Sequence, residues 1–388
     1  MTRLLQRISV PFEYPVYFTH DLFSTANDDL IEALSSREPT RRHRVLVVID
    51  AAVATSWPAL LTDIERYADR HADRMQLAAP AIVLPGGEDC KNDAKLVPSL
   101  YARFRELCLD RHSYVLIIGG GALLDAVGFA AATCHRGVRV VRVPTTVLGQ
   151  ADSGVGVKNG VNLMGAKNFV GSFAPPFAVM NDPNFLRTLT RRDRIAGMAE
   201  AVKVALIRDA AFFAWLDESG KLLESGDAKA LSYLCWRSAE LHLDHIRTGG
   251  DPFELGSARP LDFGHWSAHK LESMTEHRLR HGEAVAIGMA LDTLYSQRIG
   301  LLSLADARAV TRLLTRLGFR LWDDVLTSVG ADGRPAVLGG LDDFREHLGG
   351  ELTITLLRGI GRGQEVNRID EPAMLEALQE LHREDGAR

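Results

Sequence analysis

The stretch Tyr114-Val-Leu-Ile-Ile-Gly-Gly-Gly-Ala-Leu-Leu-Asp125 decides the fold of this chain. It opens with an apolar run rich in β-branched residues, typical of a strand buried on both faces of a parallel sheet. Glycines follow directly, so the backbone can approach a ligand closely. A helix starting there points its free amides at an anion such as a pyrophosphate. The spacing is not Gly-x-Gly-x-x-Gly, and a tight turn is the alternative interpretation.

Similar strand-like runs lie on both sides of this stretch. They are Arg44–Asp50, Ala81–Gly87 and Val138–Thr146, and helices are predicted over about 55–73, 92–109 and 122–134. This alternation predicts an α/β fold, with a Rossmann-like, doubly wound and mostly parallel sheet in an N-terminal domain at residues 1–184. From about residue 190 the pattern becomes helical, which predicts a mainly α-helical C-terminal domain at residues 185–388.

Polar residues follow the predicted strands where a ligand could bind. Asp50 is either a hydrogen-bond acceptor for a ribose or the cap of the next helix. The hydroxyls of Thr145 and Thr146 serve either a cofactor or a turn. The glycine-dense segment 150–173 is predicted to be a loop suited to a phosphorylated substrate, with a solvated surface loop as the alternative. Its polar residues include Asp152, Lys158, Lys167 and Asn168.

The second half holds one glutamate and two histidines that suit a metal. Glu200 and Lys203 share one face of a helix whose other residues are almost all apolar, so both are expected to be buried. His265 opens a helix after Gly264, and His281 opens another. One carboxylate and two imidazoles leave a position for a substrate or water oxygen. Zinc fits these ligands best, with cobalt or iron as alternatives.

Two further histidines lie near this predicted metal site. His269, four residues after His265, is left as an acid, a base or a phosphate contact. His277 lies among charged residues and is expected at the surface. The alternative to a metal ligand, for any single histidine on an apolar helix, is a hydrogen-bonded residue of the core. The proximity of several histidines to a buried-looking glutamate favours the metal.

The composition of the chain limits the classes of protein to which it can belong. The chain has 388 residues, a formal net charge of -5 and 46% hydrophobic residues, so neither nucleic acid nor an anionic membrane is expected as a partner. No apolar run is long enough for a membrane span, and the N-terminus lacks a signal-peptide core. The scattered cysteines are expected to be reduced thiols of a cytoplasmic protein.

Several motifs together resemble one family, the sugar phosphate cyclases related to 3-dehydroquinate synthase. They occur in the family's order between about Asp50 and Gly361. The motifs are Gly119-Gly-Gly-x-x-x-Asp125, Arg136-Gly137, Val143-Pro-Thr-Thr146, Asp152 to Lys158, Lys167-Asn168, Ala199-Glu-x-x-Lys203, Gly264-His265 and His281-Gly-Glu-Ala-Val-Ala-Ile-Gly288.

The resemblance implies a role for each matching residue. The NAD-contacting positions would be Asp50, Glu88, Lys91, Gly120, Gly121, Asp125, Thr145 and Thr146, with Lys158 and Lys167 close by. The zinc ligands would be Glu200, His265 and His281. The substrate and catalytic positions would be Asp152, Lys158, Lys167, Asn168, Lys203 and His269, with Arg259 and Asp262 at or beside positions where 3-dehydroquinate synthase has an arginine and an asparagine. Arg136 would reach a substrate phosphate across a homodimer interface.

The family chemistry implied by the resemblance is redox-neutral. NAD removes a hydride from a ring hydroxyl, phosphate is eliminated, the hydride returns, and ring opening with an intramolecular aldol closure forms the carbocycle. Asp244 and Asp262 stand where 3-dehydroquinate synthase has a lysine and an asparagine, which makes the pocket less favourable for a carboxylate. Phe344–Gly350 and Gly154–Lys158 resemble the branch acting on sedoheptulose 7-phosphate, the valiolone synthases.

Three alternatives to this cyclase remain open from the sequence. The first is 3-dehydroquinate synthase itself. The second is a metal-dependent alcohol or glycerol dehydrogenase, which shares the glycine and Pro-Thr-Thr patterns but accumulates NADH. The third is a non-catalytic NAD-binding protein that keeps the fold for a partner.

Overall fold

The computed structural model describes residues 3–164, 166–249, 253, 260–330, 332–347 and 350–386. These residues form two compact units. The first comprises Met1–Thr145 and Gly156–Asp182, and the second comprises Thr146–Val155 and Pro183–Arg388. The short segment Thr146–Val155 therefore packs with the helical half of the chain. Predicted site residue Arg259 lies outside the described residues.

A parallel sheet is the centre of the first unit. The strands of this unit are β1 (Val16–Phe18), β2 (His43–Asp50), β3 (Met75–Leu77), β4 (Ile82–Leu84), β5 (Tyr114–Gly119), β6 (Arg139–Pro144), β7 (Lys158–Leu163), β8 (Ala166–Phe173) and β9 (Ala178–Asn181). The sheet order is β1-β9-β6-β5-β2-β3, with β4 also paired to β2, and each of these pairs is parallel. Strand β5 is buried along its whole length. Its apolar run therefore lies at the centre of a sheet that is covered on both faces.

Helices connect these strands. They are α1 (Asp29–Ser35), α2 (Ala51–Ser56), α3 (Leu60–Arg70), α4 (Glu88–Asn92), α5 (Leu96–Glu106) and α6 (Gly121–Thr133). The helix predicted over 55–73 is interrupted, since α2 ends at Ser56 and Trp57 has φ -124° and ψ 74°. Pro58 explains the break, because its ring disfavours the helical conformation of the preceding residue.

The prediction of a loop over 150–173 is wrong for most of that segment. Lys158–Leu163 and Ala166–Phe173 form an antiparallel hairpin. A Cβ on Gly171 would lie 2.6 Å from the carbonyl oxygen of Asn159, and one on Gly160 would lie 3.1 Å from that of Val170. The glycines that indicated a loop are therefore places where two strands approach closely.

The second unit is mainly helical. Its helices are α7 (Arg191–Gly197), α8 (Ala199–Arg208), α9 (Ala210–Ser225), α10 (Ala228–Thr248), α11 (His265–Met274), α12 (His281–Arg298), α13 (Leu304–Arg316), α14 (Gly339–His347) and α15 (Glu371–Gly386). Strands β10 (Ile354–Gly359) and β11 (Arg362–Val366) form a small antiparallel sheet. Helix α12 is buried from Ala284 to Ser296 and forms the centre of this unit. Within the described ranges, no helix is long and apolar enough to cross a membrane.

A buried carboxylate joins α11 to α12. Asp292 on α12 is fully buried and accepts hydrogen bonds from Trp266 Nε1 at 2.8 Å and from the backbone N–H of Gly264 at 3.1 Å. Burial raises the pKa of the Asp292 carboxyl to about 7, although both hydrogen bonds favour the charged form. The folded state therefore keeps a proton that the unfolded state loses near pH 4.

This raised pKa predicts how stability depends on pH. Below about pH 4 the carboxyl is protonated in both states. Between about pH 4 and about pH 7 only the folded state holds the proton, so the contribution of Asp292 to the free energy of unfolding falls as the pH rises, by at most about 1.4 kcal/mol per pH unit. Urea unfolding would measure the free energy of unfolding of the chelator-treated wild-type protein and of Asp292→Asn at several pH values. Plotted against pH, the two curves should converge or cross over this range. Parallel curves would contradict the assignment.

Candidate active site

Three predicted ligands meet in the second unit. Glu200 lies on α8, His265 is the first residue of α11 and His281 is the first residue of α12. Each offers one ligand atom, and these atoms lie within 4.8 Å of one another. Both histidines direct Nε2 at Glu200 Oε1, at 3.6 Å for His265 and 3.5 Å for His281. These separations exceed the usual hydrogen-bond distance, and they leave space for an ion between the three atoms.

Glycines allow the two histidine helices to approach each other. Gly264 caps α11 with φ +77°, a conformation that other residues rarely adopt. A Cβ on Gly288 of α12 would lie 2.1 Å from the Gly264 carbonyl oxygen. The first turn of α11 therefore rests directly on the backbone of α12. This contact sets the separation of His265 from His281.

The charge states match those of a metal site. Burial alone would raise the pKa of Glu200, but the Lys203 ammonium and His281 lower it to about 2. Burial, followed by Lys203 and His269, lowers the pKa of His265 well below its usual value. Glu200 is therefore an anion and His265 is neutral, the forms in which carboxylate and imidazole bind a cation.

Each histidine is also held through its other ring nitrogen. His265 Nδ1 lies 3.1 Å from the Phe263 carbonyl oxygen, and His281 Nδ1 lies 3.3 Å from Glu272 Oε2. Acceptors at Nδ1 orient the ring and leave the Nε2 lone pair for a metal. Glu272 is buried, with 2% of its surface exposed. Sequence reasoning missed Glu272, although its position one helical turn after His269 on an apolar face was a usable signal.

The remaining predicted substrate residues of this unit lie near the triad. Lys203 pairs with Glu200, and its pKa is shifted downward by burial but raised overall by Glu200, Asp152 and Asp262. Asp262 ends a short 3-10 turn just before α11. His269 is exposed, and its ring centroid lies 5.4 Å from that of His265. The structure thus places an ammonium and a third imidazole beside the metal ligands, and the charges of Asp152 and Asp262 act on that ammonium.

Asp152 has a partner that the sequence did not indicate. It lies in a π-helical turn, Gly149–Ser153, and His242 Nδ1 of α10 lies 2.8 Å from its Oδ1. No motif marks His242, so only the folded chain reveals the pair. Asp244, two residues further along α10, has a half-exposed side chain paired with Arg247 at 2.7 Å.

In the first unit, predicted cofactor residues lie at the carboxyl ends of the parallel strands. Asp50 ends β2, Gly120 and Gly121 follow β5, and Thr145 follows β6. Ligands of such sheets bind at this edge. Thr146 belongs to the second unit, where its Oγ1 accepts a hydrogen bond from Gly149 N.

Asp50 does cap a helix, as one of the two interpretations predicted. Its Oδ1 accepts a hydrogen bond from Ala52 N at 2.8 Å. The other oxygen, Oδ2, lies 1.8 Å from where a Cβ on Gly86 would be. Gly86 is therefore required for Asp50 to keep this position. A contact between Asp50 and a ribose stays a prediction.

A buried lysine organises a second polar group in this unit. Lys91 is 3% exposed and donates to Asp125 Oδ2 at 2.9 Å and to Asn168 Oδ1. Burial raises the pKa of Asp125 in spite of Lys91. Lys167 Nζ lies 3.9 Å from Glu88 Oε1. Five of the predicted residues therefore form two ion pairs and an amide contact in this unit.

Two predicted phosphate contacts are exposed. Lys158 at the start of β7 is exposed. Arg136 is exposed in the turn Cys134–Arg136, where its φ is 62°. An exposed arginine is compatible with a contact to a second subunit, and that contact stays a prediction.

Comparison with known proteins identifies the family. The profile for the 3-dehydroquinate synthase N-terminal domain matches residues 81–196, and the profile for its C-terminal domain matches residues 197–331. The chain belongs to the 3-dehydroquinate synthase family. Its predicted resemblance is confirmed, and it is an enzyme of the sugar phosphate cyclase superfamily.

Individual relatives carry two different names. A 3-dehydroquinate synthase of Ruegeria sp. (strain TM1040) is 36% identical over 97% of this chain and 97% of its own length. A 2-epi-5-epi-valiolone synthase of Streptomyces glaucescens is 38% identical over 71% of this chain and 70% of its own length. Family membership therefore leaves the substrate to be argued from the site.

A solved structure confirms the predicted fold. The 2-epi-5-epi-valiolone synthase of Streptomyces hygroscopicus subsp. jinggangensis 5008, determined with NAD⁺ and Zn²⁺ bound, has a TM-score of 0.85 and 31% identity. The match covers 98% of this chain and 100% of that chain. The combination of a parallel-sheet unit and a helical unit is thus that of the cyclases.

Proposed function

We propose that this protein is an NAD- and metal-dependent cyclase that converts sedoheptulose 7-phosphate to a C7 cyclitol of the valiolone type with release of phosphate. The observation that carries the proposal is the arrangement of Glu200, His265 and His281, whose ligand atoms converge within 4.8 Å. The solved 2-epi-5-epi-valiolone synthase, which contains NAD⁺ and Zn²⁺, supports both cofactors.

The metal would be held by Glu200 Oε1 and by Nε2 of His265 and His281. Mixed oxygen and nitrogen ligands suit zinc, and cobalt fits the same set. When bound, such an ion polarises a hydroxyl or carbonyl oxygen of the substrate. Glu272 and the Phe263 carbonyl keep both rings oriented for this task. Lys203 pairs with Glu200, and the charges of Glu200, Asp152 and Asp262 raise its pKa overall, so it would hold a proton at its Nζ.

The cofactor would lie at the carboxyl edge of the parallel sheet. NAD supplies a reversible hydride acceptor. Gly120 and Gly121 would allow the backbone to approach its pyrophosphate, and the free amides at the start of α6 would favour that anion. Asp50 Oδ2 would accept a hydrogen bond from a ribose hydroxyl. Lys91, Asp125 and Asn168 form a prearranged polar contact beside them.

The remaining side chains suit a phosphorylated polyol. Lys158 and Lys167 offer ammonium groups for a phosphate. Asp152 carries a carboxylate for a sugar hydroxyl, and His269 offers an exposed imidazole near the metal ligands for proton transfer. Because one hydroxyl is oxidised and one carbonyl is later reduced, the proposed reaction has no net redox change. Phosphate is the released group.

The choice of sugar rests on Asp262. Its charge acts on Lys203, which places a carboxylate near the metal ligands. A second carboxylate on the substrate would be repelled there, so a sugar phosphate without one is favoured. Asp244 adds little to this argument, because its half-exposed side chain is compensated by Arg247.

The experiment that tests the proposal compares two substrates. The protein would be incubated with NAD⁺ and Zn²⁺ and either sedoheptulose 7-phosphate or the carboxylate-bearing heptulosonate phosphate. We expect phosphate release with the former and no accumulation of NADH. Turnover only with the latter would establish the second candidate, 3-dehydroquinate synthase, which the relative from Ruegeria favours. A steady rise in NADH would indicate a dehydrogenase instead.

Replacing Glu272 with glutamine tests the orientation of His281. The amide keeps the size of the side chain but weakens the acceptor at His281 Nδ1, so we expect zinc affinity to fall by about tenfold to a hundredfold. Competition with a chromogenic chelator measures that affinity. Glu276→Gln, an exposed residue beyond the end of α11, serves as control. Unchanged affinity in Glu272→Gln would show that the 3.3 Å contact does not support the ligand.

A further inference from the structure

The contact between Asp152 and His242 is not explained by any motif of the chain. The two side chains are 22% and 15% exposed, and the atoms in contact are Asp152 Oδ1 and His242 Nδ1. Asp152 lies in a π-helical turn, a rare conformation that is frequent at functional sites. The pair therefore combines an unusual backbone, a partly buried acid and an imidazole.

The Asp152 carboxyl is charged in this setting. Burial would raise its pKa, but His242 lowers it more, so the net shift is below the usual value. Asp152 in turn helps to raise the pKa of Lys203. A carboxylate of this kind is a pure acceptor with two oxygens.

Among the described residues, Oδ1 is the one oxygen of the two that has a side-chain partner. His242 contacts Oδ1, and among the residues that the structure describes no other side chain donates a hydrogen bond to the Asp152 carboxylate. Within that part of the chain Oδ2 has no side-chain partner, so it can accept a hydrogen bond from a bound ligand. Near Lys203 and the metal ligands, a hydroxyl of a bound polyol is a donor of suitable chemistry.

We propose that His242 is a positioning residue for the cyclase reaction, one that holds Asp152 through Oδ1 and so directs Oδ2 at a hydroxyl of the sugar phosphate. The inference rests on the proposed function and deepens it. A carboxylate held at one oxygen loses the freedom to rotate, so the substrate hydroxyl meets a fixed acceptor. The neighbours of His242 on α10 do not share this role, since Asp244 pairs with Arg247 and His245 contacts Arg208.

Three variants test the inference in the zinc- and NAD-loaded protein. His242→Leu removes the imidazole that lies 2.8 Å from Oδ1, and we expect kcat/KM for phosphate release to fall by about tenfold to a hundredfold, as when a polar contact to a charged group is lost. His242→Asn places an amide N–H near the former Nδ1 and should recover most of that loss. His245→Leu, the same change one turn further along the helix, should leave the rate unchanged.

Two readouts separate positioning from a structural role. Bound zinc and melting temperature should stay at wild-type values in His242→Leu. Wild-type rates in His242→Leu would overturn this inference but leave the proposed function intact. A His242→Asn variant as slow as His242→Leu would have the same consequence. Loss of zinc in His242→Leu would also overturn it, because His242 would then act through the metal site. If the wild-type protein released no phosphate from any sugar phosphate, the proposed function would fail and this inference with it.

Discussion

Replacing Glu200 with glutamine is expected to remove the bound metal and to lower cyclase activity by about a thousandfold or more. The ligand set would lose its only anion, and metal polarisation of a substrate oxygen contributes several kcal/mol to such a reaction. The measurements are metal content by elemental analysis after gel filtration and phosphate release with sedoheptulose 7-phosphate. Both should fall together, because one atom, Oε1, faces both histidine rings.

A second substitution controls for the buried charge left behind. Lys203 pairs with Glu200 inside the protein, so Glu200→Gln also leaves an ammonium without its partner, which is destabilising. His281→Gln removes a ligand whose side chain is 26% exposed and leaves that ion pair intact. It should lose metal and activity while remaining folded. Glu218→Gln, an exposed glutamate on α9, is the matched control. Full activity in metal-free His281→Gln would refute the proposed metal site.

Replacing Gly288 with alanine is expected to destabilise the second unit by about 3 kcal/mol or more. The new methyl group would lie 2.1 Å from the Gly264 carbonyl oxygen and 2.7 Å from Ser267 Oγ. The obstacle is mainly backbone, so the start of α11 must move away from α12, and overpacking of this kind is costly. Since His265 and His281 open these two helices, zinc affinity should fall with stability.

Differential scanning calorimetry and zinc competition would measure both effects. Gly359→Ala is the control, because nothing lies within 4 Å of the position of its Cβ. That variant should unfold at nearly the wild-type temperature. A stable Gly288→Ala protein with lowered zinc affinity would mean that the helices separate without loss of packing. Unchanged values of both quantities would refute the close approach of α11 to α12.

The sheet and the metal ligands were predictable because their signals are local. A run such as Val45–Ile49 has no other low-energy environment than a covered sheet, and all five of its residues are buried in β2. Glycines after β5 and acids at strand ends follow directly from that assignment. Glu200, His265 and His281 were predictable because a buried carboxylate needs a cation, and histidines were the nearest candidates.

Other features depend on which surfaces pack together. The hairpin β7–β8 was predicted as a loop, because glycines in a sequence do not distinguish a turn from a close strand contact. The break in the helix predicted over 55–73 instead has a local cause, Pro58, which hydrophobic periodicity does not register. The sequence likewise did not indicate that the Asp244 side chain is half-exposed and pairs with Arg247.

Residue order alone was enough to predict a covered parallel sheet and one acid with two imidazoles suited to a metal, and it also predicts glycines suited to a phosphate. These features follow from short-range rules of burial, backbone freedom and charge. Packing of distant segments decided the rest, namely which ring nitrogen faces Glu200, that Glu272 supports His281, and that His242 meets Asp152. Those contacts join residues on different helices or turns, and only the fitting of one surface against another determines them.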